Sequence, residues 1–277
     1  MSDANGKPTN KARRNIFITG GASGIGRAIA LYFAERGWFV SIADVNSAGM
    51  EDTLGLIDGG FKYSHKLDVR DRAAWTTALE AAATAGGGRI DVVVNNAGIG
   101  TGGSLHELET EEIDRCLDIN LKGVLYGAQA AYPWLKKSAP GSALLNIASA
   151  AGIAGSAGMS VYCATKFGVR AVSESLDAEW VDDKITVASI CPSFIETPLL
   201  DGTGNRGSNE QIRDRVRAAG LEITPVEEVA AAAWEAVHGN RLDYYVGKTA
   251  KQMAFGKRWM PGRVRKQLKT SARPLGR

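Results

Sequence analysis

Short, almost unbroken apolar runs alternate along this chain with longer stretches in which apolar residues return every three or four positions. The runs at residues 15–19 (NIFIT), 39–43, 61–67, 90–94, 143–148 and 185–190 predict buried strands. The stretches from the glycine turn to about residue 36, and at 48–57, 72–85, 111 to roughly 138, 160–181 and 210–219, predict amphipathic helices. Strand and helix taking turns over this length implies an α/β protein, a three-layer doubly wound parallel sheet of about seven strands with right-handed crossovers. Neither an internal repeat nor a linker divides it. Each apolar run releases polar or turn residues at its C-terminal end: Asp44, then Asp68-Val69, Asn95-Asn96-Ala97-Gly98, Ser149 and Cys191-Pro192. In an open parallel sheet the ligand crevice lies outside those ends, so these segments should converge on one site.

The first run leads straight into Gly20-Gly21-Ala22-Ser23-Gly24-Ile25-Gly26 and a helix. Glycines let main chain approach a pyrophosphate, and the helix N-terminus turns unpaired N–H groups toward it. Asp44 ends the second run, where a carboxylate can accept hydrogen bonds from both adenosine ribose hydroxyls and would repel a 2'-phosphate. Neither Ser23 nor Val45 is basic, so the pattern reads as NAD rather than NADP binding.

A second constellation lies at residues 149–166, SAAGIAGSAGMSVYCATK. Tyr162 and Lys166 are four apart at the start of a predicted helix and so share a face. An ammonium beside a phenol favours the phenolate, so the Tyr162 pKa is expected to fall toward working pH, as suits a general acid/base. Ser149 stands ahead of the pair, where its hydroxyl can bond the same substrate oxygen. Asn120 falls inside a long helix among apolar neighbours, where its amide needs a partner.

In combination these residues resemble the short-chain dehydrogenases/reductases of the single-domain branch, over about residues 14–246. Thr19-Gly20-x-x-x-Gly24-x-Gly26 is similar to that family's cofactor loop, Asn95-Asn96-Ala97-Gly98 to its fourth-strand signature, and Asn120, Ser149, Tyr162 and Lys166 to its catalytic tetrad. The resemblance implies a Rossmann fold and NAD-dependent interconversion of an alcohol and a ketone. It implies that Gly20, Ser23, Gly24, Ile25, Gly26 and Asp44 hold the cofactor, that Asp68 and Val69 meet the adenine, and that Asn96, Ala97 and Gly98 line the adenosine. Lys166 would bind the nicotinamide ribose and stabilise the Tyr162 phenolate, Asn120 would anchor a relay water, and Pro192, Ile195 and Thr197 would hold the nicotinamide. The family often has Pro-Gly where this chain has Pro192-Ser193, which predicts a differently shaped loop entry because serine lacks glycine's freedom at positive φ. Around the tetrad, Ala150, Gly152, Ile153, Met159, Phe194, Leu199 and Leu200 are candidate pocket residues. They are mostly apolar, so the expected substrate is a hydrophobic secondary alcohol or ketone. Residues 201–209, glycine-rich and polar, read as a lid. An NADPH-dependent ketone reductase and a non-catalytic NAD(H)-binding protein are the alternatives. A homodimer or homotetramer is expected from the same resemblance.

Composition narrows the picture further. At 277 residues, with 44% hydrophobic and 23% charged, the chain has the make-up of an ordinary soluble protein, and the absence of a signal-like or spanning apolar run predicts a cytoplasmic one. Cys116, Cys163 and Cys191 have no metal-type spacing, and the three histidines do not cluster, so no metal site is expected. The net charge of +3 hides an asymmetry. From residue 248 to 277 there are ten Lys or Arg and no acid, which leaves the preceding residues at a net −7. The organisation read from this is a flexible polar arm at 1–13, a catalytic domain at 14–247 and a basic amphipathic extension at 248–277. For that extension, packing on the body or a neighbouring subunit is the simpler reading and peripheral contact with an anionic membrane the lesser one; nucleic acid is excluded because no other basic face supports it.

Overall fold

The computed structural model describes residues 13–202 and 210–271, with side chains as far as Lys269. Its seven strands are β1 (Asn15–Thr19), β2 (Phe39–Asp44), β3 (Lys62–Lys66), β4 (Val92–Asn95), β5 (Ala143–Ile147), β6 (Thr186–Pro192) and β7 (Asp243–Val246). They form one sheet in the order β3-β2-β1-β4-β5-β6-β7, and every pair is parallel. The order reverses between β1 and β4, which opens a crevice at their C-terminal ends.

The strands are apolar on both faces because helices cover both. On β1, Ile16 and Ile18 face one layer and Phe17 the other, as alternation along a strand requires. The first layer is α1 (Gly24–Ala34) and α8 (Val226–His238), packed on Ile18, Val94, Leu145 and Ile190. The second is α3 (Arg72–Ala85), α5 (Gly123–Ser138) and the far end of α6 (Ser160–Glu179), packed on Phe17, Val93, Leu144 and Val187. Edge strand β3 reads KYSHK and is only half-buried, in keeping with a strand covered on one side.

Two predicted elements differ in detail. The long helix expected from residue 111 begins at Thr110 and is interrupted: α4 (Thr110–Leu117) passes into a π-helical turn at Asp118–Lys122 and then α5. The first predicted strand beyond β2 is shorter than 61–67, since Phe61 is exposed. The remaining helices are α2 (Ser47–Gly55), α7 (Ile212–Ala218), α9 (Lys248–Trp259) and α10 (Pro261–Ser271). Most of the predicted lid, residues 203–209, and most of the arm and the last six residues lie outside the described residues.

Trp75 on α3 anchors the second layer. It is fully buried, its ring centroid lies 6.1 Å from that of Phe17, and its indole N–H donates to the Val69 carbonyl at 3.1 Å. Gly127 on α5 lets the two helices approach, since a Cβ there would lie 2.6 Å from the Trp75 ring. Trp75→Ala should therefore lower the unfolding free energy by about 3–5 kcal/mol in a denaturant titration; a loss below about 1 kcal/mol would mean that the layer does not depend on this ring.

Candidate active site

The turn between β1 and α1 brings main chain against main chain. Gly20 has φ +68° and Gly24 φ +53°, and a Cβ on Gly26 would lie 2.1 Å from the Gly20 carbonyl oxygen. Nothing larger than glycine fits at residue 26 without opening the turn. Ser23 is the residue before α1 and makes no side-chain cap, so the first N–H groups of the helix are left to face outward from the turn. The turn is braced from below: Arg27 donates to the Ala22 carbonyl at 2.7 Å and to the Thr53 hydroxyl at 2.9 Å, and Thr53 donates to the Gly21 carbonyl at 2.9 Å. Asp44, at the end of β2, accepts from the Ala22 N–H at 3.1 Å and the Asn46 N–H at 3.0 Å, which fixes its carboxylate beside the glycine turn.

The turn after β4 is tied to the same place. Asn96 donates to the Thr19 carbonyl at 2.8 Å and the Gly20 carbonyl at 3.2 Å, and the Thr19 hydroxyl accepts from the Asn96 and Ala97 N–H groups. Asn95 donates to Asn146 at 2.9 Å, and Asn146 to Ser173 on α6 at 2.9 Å, so a buried polar chain runs from β4 through β5 to the helix that carries Tyr162. Further out, the Asp68 carboxylate is taken up by Arg70, whose hydrogen bonds hold it below its usual range, and Val69 is buried against Gly123.

Asn120 occupies the π-helical turn, a distortion that often marks functional positions. It is fully buried, its amide oxygen accepts from the Ile99 N–H at 2.8 Å, and its amide nitrogen donates to the Ile99 carbonyl at 2.8 Å. The side chain is thus a brace for the β4 turn. Gly98 serves as a ruler for what surrounds it: a Cβ there would lie 3.2 Å from the Asn120 amide oxygen and 3.7 Å from Lys166 Nζ. Lys166 is only 5% exposed, donates to the Ile147 carbonyl at 2.9 Å, and sits 5.7 Å from the Tyr162 ring centroid. Ser149 begins the short turn at Ala150–Gly152 and accepts from the Ala151 N–H at 3.1 Å. The structure therefore gathers Asn120, Ser149, Tyr162 and Lys166 around the ends of β4 and β5, beside the glycine turn.

Their electrostatics differ from the sequence expectation. The Tyr162 pKa was expected to fall; burial instead pushes it up to about 12, with a Ser149 hydrogen bond pulling partly the other way. Burial likewise pulls Lys166 down to about 8. Desolvation disfavours the charged form of each group. With the ammonium turned toward the Ile147 carbonyl, its charge does not overcome that burden on the phenol.

The loop after β6 closes the far side. Pro192 and Ile195 are buried, Ile195 bridges to Thr224, and the Thr197 hydroxyl donates to the Ile195 carbonyl at 3.2 Å. Thr197 also borders the glycine turn, 3.3 Å from where a Gly24 Cβ would lie. Ser193 is not among the residues at positive φ; that conformation falls to Gly247, at φ +84°, where a Cβ would crowd the Ser193 and Thr224 hydroxyls. The candidate pocket residues divide. Met159 and Phe194 are half-buried and Leu199 is 49% exposed, 3.4 Å from the Cβ position of Gly100 across the opening. Ala150 and Ile153 instead belong to a small core with Val169, Cys191 and Ala250, Gly152 lies against the Lys166 main chain, and Leu200 is buried. At the base of the predicted lid the Ile212 N–H donates to the Gly202 carbonyl at 3.0 Å, and Arg213 bonds both Asp201 and Glu196. Among the described residues no group of three or more His, Cys, Asp or Glu is arranged to hold a metal ion.

A further group was not picked out from the sequence. Arg170, one turn beyond Lys166, donates to the Gly152 carbonyl at 3.1 Å and pairs with Asp243 on β7, which also accepts from Ser189 and from Tyr245 at 2.9 Å. Burial works against the Asp243 charge, but Arg170 and Ser189 outweigh it and leave its pKa lowered. The clamp fixes the turn after Ser149 relative to α6.

The short chain dehydrogenase family model matches residues 14–206. The probable oxidoreductase EphD of Mycobacterium tuberculosis is 37% identical over 191 residues, which is 68% of this chain and 32% of that longer relative's length. The 2,5-dichloro-2,5-cyclohexadiene-1,4-diol dehydrogenase LinX of Sphingobium indicum is 39% identical over 190 residues, 68% of this chain and 75% of that protein. The crystal structure of a 3-ketoacyl-(acyl-carrier-protein) reductase from Brucella melitensis complexed with NADH is similar with a TM-score of 0.75 at 30% identity, covering 86% of this chain and 98% of that one.

Arg170→Met should destabilise the protein by about 1–3 kcal/mol, because the half-buried Asp243 loses its cation and two charge-assisted hydrogen bonds. Adding Asp243→Asn should return part of that loss in the same denaturant titration; strictly additive losses would mean that the two residues do not act as a pair.

Proposed function

The chain belongs to the short-chain dehydrogenase family, and from that premise we propose an NAD-dependent oxidoreductase that interconverts a hydrophobic secondary alcohol and its ketone. The observation that carries the reading is the gathering of Ser149, Tyr162, Lys166 and Asn120 around Gly98, next to a turn whose Gly26 leaves no room for a Cβ. That glycine cradle, the uncapped start of α1 and the carboxylate of Asp44 suit a dinucleotide. The catalytic domain is taken as residues 14–247, with 248–277 as an extension.

Bound NAD would supply the hydride acceptor, and the residues of the chain do the rest. Gly20, Ser23, Gly24, Ile25 and Gly26 would hold the pyrophosphate, Asp44 the adenosine ribose, Asn96 to Gly98 the adenosine side, and Pro192, Ile195 and Thr197 the nicotinamide. In oxidation Tyr162 takes the hydroxyl proton on its phenolic oxygen, while Ser149 Oγ holds the substrate oxygen as negative charge develops there. Lys166 favours the phenolate by its charge, and Asn120 keeps the Ile99 turn in register with Lys166. In reduction Tyr162 donates the proton, a role that its raised pKa suits. Met159, Phe194 and Leu199 favour an apolar substrate, and the relative LinX is named for a dehydrogenase of a chlorinated cyclic diol.

With a panel of hydrophobic secondary alcohols, reduced-nicotinamide absorbance should grow with NAD and far less with NADP. Asp44→Ala should shrink that preference at least tenfold, the scale of losing one charge-selective contact; unchanged discrimination would remove Asp44 from its assigned role.

Since Tyr162 must lose a proton and burial has raised its pKa to about 12, kcat/KM for oxidation should rise from neutral pH to about 8, above which Lys166 sheds the charge that favours the phenolate. Tyr162→Phe should retain NAD binding, lose about 10²–10⁴-fold in turnover and lose the pH rise. A wild-type profile flat across that span, or a variant with near-normal turnover, would take the proton transfer away from this phenol.

A further inference from the structure

The two helices that end the described chain carry a surface that the site does not use. The inner side of α9 is committed: Ala250 is fully buried, and Met253 and Ala254 pack with Ala150, Ile153, Val169 and Cys191. α10 lies on α9 where Gly256 admits the Val264 side chain. The outer side is of another kind. Phe255 is 60% exposed, Trp259 65% and Met260 39%. Phe255 and Trp259 are four apart and so lie on one face, which Lys251 and Arg258 share. The Arg258 guanidinium lies 5.4 Å from the Trp259 ring centroid. Lys257, Arg263, Arg265 and Lys269 are exposed around these, and from residue 248 to the end of the sequence there is no Asp or Glu.

We propose that this outer face of α9 and α10 docks the protein on an anionic lipid bilayer. Aromatic rings flanked by cations suit the headgroup level, where the ring meets acyl chains and the cation meets lipid phosphate. No described helix is long and apolar enough to cross a membrane, so the helices lie on the surface. The charge asymmetry sets the orientation: the tail is drawn to an anionic surface while the net −7 body is repelled by it. Two-fold pairing of the face with a second copy would set its cations against themselves, which argues for the bilayer instead. Because the inner side of α9 packs on the turn after Ser149, docking would bring that turn within about 10 Å, one helix diameter, of the lipid. The inference rests on the tail's own surface and stands apart from the proposed reaction.

Flotation of the full chain with vesicles tests it without reference to turnover. The protein should float with phosphatidylcholine vesicles containing about one third phosphatidylglycerol, and stay behind with phosphatidylcholine alone or at high salt. The double variant Phe255→Ser/Trp259→Ser and the double variant Lys251→Glu/Arg258→Glu should each partition about tenfold or more weakly, with unchanged melting temperatures. Absence of wild-type binding to the anionic vesicles, or variants that bind as the wild type does, would overturn the proposal. So would sedimentation velocity in which the same variants dissociate an oligomer, which would assign the face to a second copy.

Discussion

A lysine ammonium taken out of water must be given partners or lose its proton, and the arrangement of this site follows from how Lys166 is accommodated. One turn of α6 separates it from Tyr162, and its Nζ reaches the Ile147 carbonyl at the end of β5. Gly98 lies where a Cβ would press on the Asn120 amide oxygen and would just touch that ammonium. Asn120 can stand there because the helix loosens into a π turn, and its amide then ties Ile99 to the same spot. Three elements that are distant in sequence are thus fixed around one cation.

The scaffold makes such convergence available. A parallel sheet covered on both faces delivers every strand's C-terminal end to one edge, and there β1, β2, β4 and β5 release Gly20, Asp44, Asn96 and Ser149. Hydrogen bonds then couple neighbouring ends: Thr19 and Asn96 join β1 to β4, the Asn95–Asn146–Ser173 chain joins β4 and β5 to α6, and Arg170 with Asp243 joins α6 to β7. On the side of the sheet the site is thus bounded by hydrogen-bonded strand ends. Its more open side, at Met159, Phe194 and Leu199, is formed by loops.

Features with a local cause were legible in the sequence. Gly20, Gly24 and Gly26 have short-range steric reasons to be glycine, Asp44 follows directly from the end of an apolar run, and the spacing of Tyr162 and Lys166 puts them on one helix face. What depended on distant packing was not legible. The fall expected for the Tyr162 pKa considered only Lys166, whereas burial by the whole fold decides the direction. A sheet of about seven strands was expected, but the position of the seventh, four residues long, and the pairing of Arg170 with Asp243 across 73 positions leave no local periodicity to read. The close approach of Ser193 to Gly247, where a Cβ would crowd its hydroxyl, joins the exits of two strands and has no local signal. Ala150 and Ile153 were grouped with the substrate pocket by their nearness to Ser149, and α9 covers them.

The central claim is that this site moves hydride between a carbinol carbon and a nicotinamide. The measurement that bears on it most directly offers NAD and a turned-over secondary alcohol carrying deuterium on its carbinol carbon. The account predicts that the deuterium appears in the reduced nicotinamide, in step with ketone formed. Ketone that accumulates while the deuterium is released to water would contradict it.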